Sequence, residues 1–225
     1  MSSIARNGPR VAAAAGAFVL LPNLAIALLH RLGRRAHPGP PPRLPMVNFA
    51  EVDERLWRGA APSEVGLEAL AADGVATVVD LRAEKGIEPY DALRNRLGID
   101  RVHIPLRDGQ APTPPQVERF LDAVARSPGR VFVHCGAGVG RTGTMAAAYL
   151  VSTGQATREE AVARNLSVGP PSIEQLAFSA MLAGHDVRRP RAPVVAYSRV
   201  VDGPRRFWAR ARALRQARTS LWAAR

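Results

Sequence analysis

The sequence predicts an α/β fold, with a central, mostly parallel sheet of about four or five strands flanked by helices. Three observations predict it. Segments rich in β-branched residues recur at 75–81, 101–106 and 130–134; helix-forming patterns separate them; and the last of these strands runs into a glycine-rich loop that opens a helix.

The elements follow in order. Residues 1–37 contain an uncharged run of 19 residues from Val11 to Leu29, flanked by Arg6 and Arg10 on one side and by Arg31, Arg34 and Arg35 on the other. That length just suffices to cross a bilayer, although Pro22-Asn23 interrupts its centre. Three readings stay open: a membrane anchor, an interfacial or protein-packed helix, and a cleaved signal ending at Ala25-Ile26-Ala27. Five prolines between His37 and Pro45 make residues 38–46 an extended spacer. The globular body is expected over 47–187.

Within the body, Asn48 to Gly59 suggests an entry strand ending at Leu56-Trp57-Arg58. Ser63 caps a helix that runs to Ala72, and Gly74 closes it. Val75 to Leu81 is nearly continuous in apolar and β-branched residues, as strands covered on both faces tend to be. A crossover helix over Pro89 to Leu97 leads to the strand Arg101 to Leu106. Thr113, Thr157 and Ser172 each stand three residues before Gln116, Glu160 and Gln175, the capping-box signature of three further helices. Met145 to Val151 forms the helix after the glycine-rich loop. Residues 188–225 read as a basic tail with a helix from Pro204 to Trp222.

Charge divides the chain in the same places. Residues 1–50 carry net +6, residues 51–187 net −4 and residues 188–225 net +10. The overall +12 therefore describes the ends, and the body is slightly acidic. Such ends suit an anionic membrane surface, and no recognition module for a specific nucleic acid is present. The single cysteine excludes an internal disulfide. The histidines at 30, 37, 103, 134 and 185 form no ligand set, so neither metal nor cofactor is expected.

The chemistry concentrates in His134 to Gly143. Gly136, Gly138 and Gly140 let backbone N–H groups turn inward as an anion cradle over Gly136-Ala137-Gly138-Val139-Gly140, and the following helix adds its N-terminal partial charge. Cys135 in that setting is expected to act as a thiolate nucleophile. Arg141 places a planar fork against two oxygens of a tetrahedral oxyanion. Thr142, or less favourably Thr144, is placed to donate a hydroxyl hydrogen bond to the sulfur. A Walker-type loop is excluded, because no Gly-Lys-Ser/Thr follows the glycines. A rhodanese-like loop and a buried structural cysteine stay as competitors.

Cysteine and arginine separated by five residues, after histidine and before Thr-Gly, read HCGAGVGRTG here. This resembles the signature of the protein tyrosine phosphatase superfamily, and the chain is similar to its dual-specificity and related bacterial members over residues near 50 to 184. The resemblance implies phosphomonoester hydrolysis through a phosphocysteine. It also implies a general acid on a loop upstream of the cysteine, for which Asp108, 27 residues before Cys135, is the candidate. Asp100 is the runner-up, at the opposite end of its strand. Gln175 resembles the glutamine that positions hydrolytic water, with the capping box as its alternative role. His134 is expected to fix the loop by hydrogen bonding, and Asp80 with Arg82 to form a structural ion pair.

A phosphorylated protein is the first substrate class; a phospholipid or phosphoinositide is the alternative, which the apolar start and basic tail suit. The loop carries no lysine at its variable positions, so its floor offers little charge to a polyphosphorylated head group. A catalytically silent phosphate-binding scaffold is the reading outside enzymology. Membrane association through residues 11–29 and the tail, on the cytoplasmic side by the positive-inside rule, or a cytoplasmic location, completes the expectation.

Overall fold

The computed structural model describes residues 4–36, 44, 46–84 and 90–203, with side chains from residue 16 onward. Five strands and eight helices lie among them: α1 (Ile4–Ala36), β1 (Ala50–Glu51), β2 (Leu56–Gly59), α2 (Glu64–Ala72), β3 (Val75–Arg82), α3 (Asp91–Leu97), β4 (Asp100–Leu106), α4 (Pro114–Arg126), β5 (Arg130–His134), α5 (Gly140–Ser152), α6 (Arg158–Val168), α7 (Ile173–Ala180) and α8 (Ala192–Val201). The spacer expected at 38–46 lies outside the described residues except for Leu44 and Met46. The helix expected from Pro204 to Trp222 lies outside them entirely.

The sheet order is β1-β2-β5-β3-β4, parallel throughout except for the short antiparallel β1 at its edge. The expected entry strand is thus two strands. Asp53 breaks it by accepting hydrogen bonds from the backbone N–H groups of Arg55 and Leu56, which turns the chain back on itself. The central strands β5 and β3 pair Val79 with Val133 and Asp80 with His134, and β2 pairs Gly59 with His134. Strands β2 and β5 therefore finish level at one edge of the sheet, and β3 runs two residues further, to Arg82. The loop after His134 starts from that edge.

Side-chain alternation divides the core. Val131 and Val133 join Val79, Leu81, Phe120, Met145 and Phe178 on one face, and Phe132 turns to Trp57, Leu67, Leu70 and Val78 on the other. Helices α2 and α3 cover the second face, and α4, α5 and α7 the first. Helix α5 is buried from Arg141 to Ser152, and small residues explain how: Ala146, Ala147 and Ala148 let neighbouring elements approach from several sides. The capping boxes at Thr157 and Ser172 form, each side-chain oxygen accepting from the third helical N–H. At Thr113 the backbone N–H donates to Gln116 Oε1.

Helix α1 is far longer than the expected apolar run. It lies against α6 and α8, and α8 packs on α7. Helix α6 in turn packs on α5 and α7, so α1 and α8 form an outer layer over those helices, and α8 is the member of it that strand and helix periodicity did not predict.

One close approach fixes how α5 meets α6. A Cβ at Gly143 would stand 1.6 Å from Asn165 Oδ1, which is itself buried without a hydrogen-bond partner. Gly143→Ala is expected to lower stability by about 2 kcal/mol or more through overpacking. Adding Asn165→Gly should recover most of that loss in equilibrium unfolding, the non-additivity of a direct clash; two independent, additive losses would refute the contact.

Candidate active site

Strand geometry delivers Cys135 to the C-terminal edge of the parallel strands, where α/β sheets place their ligands. The loop 135–139 is stapled from three directions. Ala61 N–H donates to Gly136 O, Asn48 Nδ2 to Ala137 O, and Arg58 Nη2 to both Gly138 O and Val139 O. With these carbonyls held outward, the alternate N–H groups of the loop are free to face the bowl. Gly138 has φ +72°, and a Cβ there would lie 2.3 Å from Gly59 C, so the turn admits only glycine. Asn48 is the one described non-glycine residue with positive φ, 56°, a conformation asparagine tolerates and one that aims its amide at the loop.

Arg141 opens α5 and is buried, with its head folded back toward the loop: a Cβ on Gly136 would lie 3.8 Å from Nη2. Its donors divide cleanly. Nη1 is fully engaged, donating to Glu84 Oε1 at 3.0 Å, Glu84 Oε2 at 2.8 Å and Leu106 O at 3.1 Å. Nε is buried with no hydrogen-bond partner, and Nη2 stands 3.6 Å from Asp108 Oδ1. The guanidinium is thus clamped on one side, and its Nε/Nη2 edge is left to grip two oxygens of a bound oxyanion. Burial works against the charge on Arg141, but Cys135, Glu84 and Asp108 outweigh it and hold its pKa above the ordinary arginine value. Glu84 is half-exposed; burial would raise its pKa, but the Arg141 hydrogen bond and charge hold it below the usual carboxylate range.

A second arginine lies beneath the loop. Arg58 is fully buried on β2, which pushes its pKa down to about 10 against the pull of Cys135. His134 is buried as well, and its pKa falls to about 4, with the Asp80 carboxylate 4.0 Å away only partly opposing the loss of water. Its Nδ1 lies 3.2 Å from Cys135 O. Asp80 accepts from Arg82 Nε and Nη2, both at 2.9 Å, and from Arg101 Nη2 at 3.1 Å, which makes it the structural ion pair expected of it.

Cys135, Arg141 and Asp108 come together. Thr142 Oγ1 is buried with no hydrogen-bond partner among the described residues, whereas Thr144 Oγ1 donates to Gly140 O within its own helix, so Thr142 keeps the free donor. Asp100 begins β4, at the far end of the sheet from Cys135. The loop carrying Asp108 is fastened to α7. Ser172 Oγ donates to Gly109 O, Gln175 Nε2 to Gln110 O, and Ala111 N–H to the buried Glu174 Oε1. Gln175 packs against Gly140, but its amide is already divided between Gln110 O and the Ser172 N–H, the capping role. Sequence reasoning missed Glu84, Arg58 and Glu174. The signal for Arg58 was a charged residue between Trp57 and Gly59 in a strand that is otherwise apolar.

Residues 46–181 match a family model described as PTP-NADK, DSP-PTPase phosphatase fused to NAD+ kinase. The chain belongs to this phosphatase family. The dual specificity protein phosphatase CDC14C of Homo sapiens is 41% identical over 75 residues, 33% of this chain and 17% of that protein. NAD kinase 2, chloroplastic, of Arabidopsis thaliana is 31% identical over 163 residues, 69% of this chain and 16% of that protein. The chain therefore spans less than a fifth of the length of these curated relatives. The crystal structure of PTPMT1 in complex with PI(5)P shares the fold, with a TM-score of 0.52 at 22% identity over 59% of this chain and 92% of that one.

The burial of His134 has a pH consequence. With a folded pKa of about 4 against an ordinary value near 6.5, His134 stays neutral while the unfolded chain takes up a proton. Stability from this group is whole above pH ~6.5 and falls as pH drops toward 4, by on the order of 3 kcal/mol. NMR titration of the His134 ring should show it neutral down to about pH 4; titration near 6.5 would refute the assignment.

Proposed function

We propose that Cys135, Arg141, Asp108 and Thr142 hydrolyse a phosphomonoester through a phosphocysteine intermediate. The sulfur of Cys135 attacks phosphorus; the S–P bond forms as the bond to the leaving oxygen breaks. Asp108 delivers its proton to that oxygen. The Nε/Nη2 edge of Arg141 and the N–H groups of Gly136 through Gly140 hold the equatorial oxygens as charge develops. In the second step Asp108 takes a proton from water, the water oxygen attacks phosphorus, and the S–P bond breaks to release inorganic phosphate. A hydrogen bond from Thr142 stabilises the departing sulfur. The observation that carries this reading is the divided guanidinium of Arg141, clamped by Glu84 and Leu106 on one side and open toward Cys135 and Asp108 on the other.

The substrate class we propose is a phosphoprotein, hydrolysed with dual or tyrosine specificity. Similarity to dual specificity phosphatases supports it, as does a loop whose Gly136, Ala137 and Val139 add no cation for a multiply charged head group. A phospholipid or phosphoinositide is the second reading, favoured by the exposed apolar face of α1. We also propose a location at the cytoplasmic side of a membrane, or in the cytoplasm, which the lone free thiol suits.

Turnover of an aryl phosphate by the wild type, Cys135→Ser and Asp108→Ala tests the chemistry. Cys135→Ser should be inactive, and Asp108→Ala should fall by roughly 10²–10⁴ on a poor leaving group and far less on a good one; equal rates in all three would leave only a phosphate-binding scaffold. For the substrate, a phosphotyrosine peptide should be hydrolysed with higher kcat/KM than a phospholipid in vesicles, and the opposite ranking would exchange the two readings.

A further inference from the structure

Helix α1 is amphipathic in an inverted sense. Asn23, Ile26, His30 and Gly33 recur at helical spacing and form the face that meets protein. Asn23 Nδ2 donates to Val201 O of α8 at 3.1 Å, His30 Nδ1 contacts Leu166 O of α6, Ile26 is buried, and a Cβ on Gly33 would lie 3.3 Å from the backbone of Leu166 and Ser167. Phe18 sets its ring edge-on to Tyr197 of α8. The opposite face carries Leu20, Leu21, Leu24, Leu28, Leu29 and Leu32, all 43–64% exposed. Polar side chains thus point inward and leucines outward, the reverse of a helix on a soluble surface. Six clustered leucines left open are a binding face.

The docked stretch decides what that face can meet. From Phe18 to Gly33 it covers about 22 Å, most of the ~30 Å a bilayer core demands. Along this length run α6 and α8, with Arg164 and Arg199 exposed. Sinking α1 end-on would drag those charges into hydrocarbon. Lying flat costs nothing of the kind: the leucine face enters the boundary between head groups and acyl chains while the docked face stays on the body. The charges agree with a lipid occupant. Arg31, Arg34 and Arg35 are exposed in the last two turns, and residues 188–225, which include α8, carry net +10, while the body between is acidic.

We propose that α1 anchors the protein along, and not across, an anionic bilayer surface, with the leucine face inserted shallowly and the arginines against lipid phosphates. Of the three readings open for residues 11–29 it takes the interfacial one, and it stands independently of the substrate.

The test uses the full chain. In sedimentation with vesicles, binding to phosphatidylcholine mixed with phosphatidylglycerol should exceed binding to phosphatidylcholine alone by about tenfold or more, and Arg34→Gln/Arg35→Gln should remove most of that excess. Leu21→Ser/Leu24→Ser/Leu28→Ser should weaken binding by at least about tenfold with an unchanged melting temperature, because none of the three touches the docked face. Nitroxides placed singly at positions 21, 24 and 28 in a Cys135→Ser background should report one shallow depth. A profile that deepens steadily along these positions would mean a spanning helix. Unchanged vesicle binding by the leucine variant, together with conversion of an oligomer to a monomer, would mean that a second copy of the chain covers the face. Either result overturns the proposal.

Discussion

A buried guanidinium has to be neutralised without being used up, and the site is built around that constraint. Arg141 lies inside the protein, where an unpaired charge would cost several kcal/mol, yet a phosphate-gripping arginine needs donors to spare. Glu84 and Leu106 O answer the first need by saturating Nη1 alone. The second is met because, among the described residues, Nε has no hydrogen-bond partner and the carboxylate of Asp108 stands 3.6 Å from Nη2. The division places a negative group beside the open edge, where a leaving oxygen would sit. Loss of Glu84 would therefore disturb orientation before it disturbed charge, since Cys135 and Asp108 also stabilise the cation.

The loop obeys a similar rule from below. Its carbonyls must be satisfied outside the bowl if its N–H groups are to face inward, and Arg58 does this for two of them at once. Burying Arg58 is expensive, as its pKa of about 10 indicates, and its Nε finds no partner. The cost is understandable only if the loop's conformation is what it maintains. Asn48 and Ala61 do the same work at the rim with neutral groups. Three separate pieces of chain before α2 thus hold a loop almost 80 residues further on.

How much of this can be read in one dimension depends on the range of each interaction. The strands at 75–82 and 130–134, the capping boxes at Thr157 and Ser172, and the Cys135 to Arg141 spacing are local patterns, and they were legible. Glu84 was not, because its meeting with Arg141 depends on β3 lying next to β5 in the sheet order, which no spacing reveals. The anchoring of the loop after β4 was not legible either, because its anchors, Ser172, Glu174 and Gln175, lie more than 60 residues away at the start of α7. Gln175 shows the limit in one side chain: both of its suggested roles were written in the same four residues, and only the packing against Gly140 and Gln110 O shows where its amide is spent.

The same distinction governs α1. In the sequence, Pro22-Asn23 and His30 look like flaws in a hydrophobic segment and lower its claim to be a membrane helix. In the fold, Asn23 Nδ2 and His30 Nδ1 meet carbonyls on α8 and α6, so protein offsets part of the polar cost of the segment, while Asn23 Oδ1 stays buried with no hydrogen-bond partner among the described residues. Helix α8 then connects this layer to the site: Ser198 Oγ accepts from Glu174 N–H, Asp202 Oδ2 accepts from Ile173 N–H, and Glu174 holds Ala111 in the loop that carries Asp108. A segment outside residues 46–181 therefore braces the first turn of α7, and through it the backbone three residues from the candidate acid. The docked face of α1 and the loop that carries Asp108 are thus opposite ends of one chain of contacts, which runs through α8 and the first turn of α7.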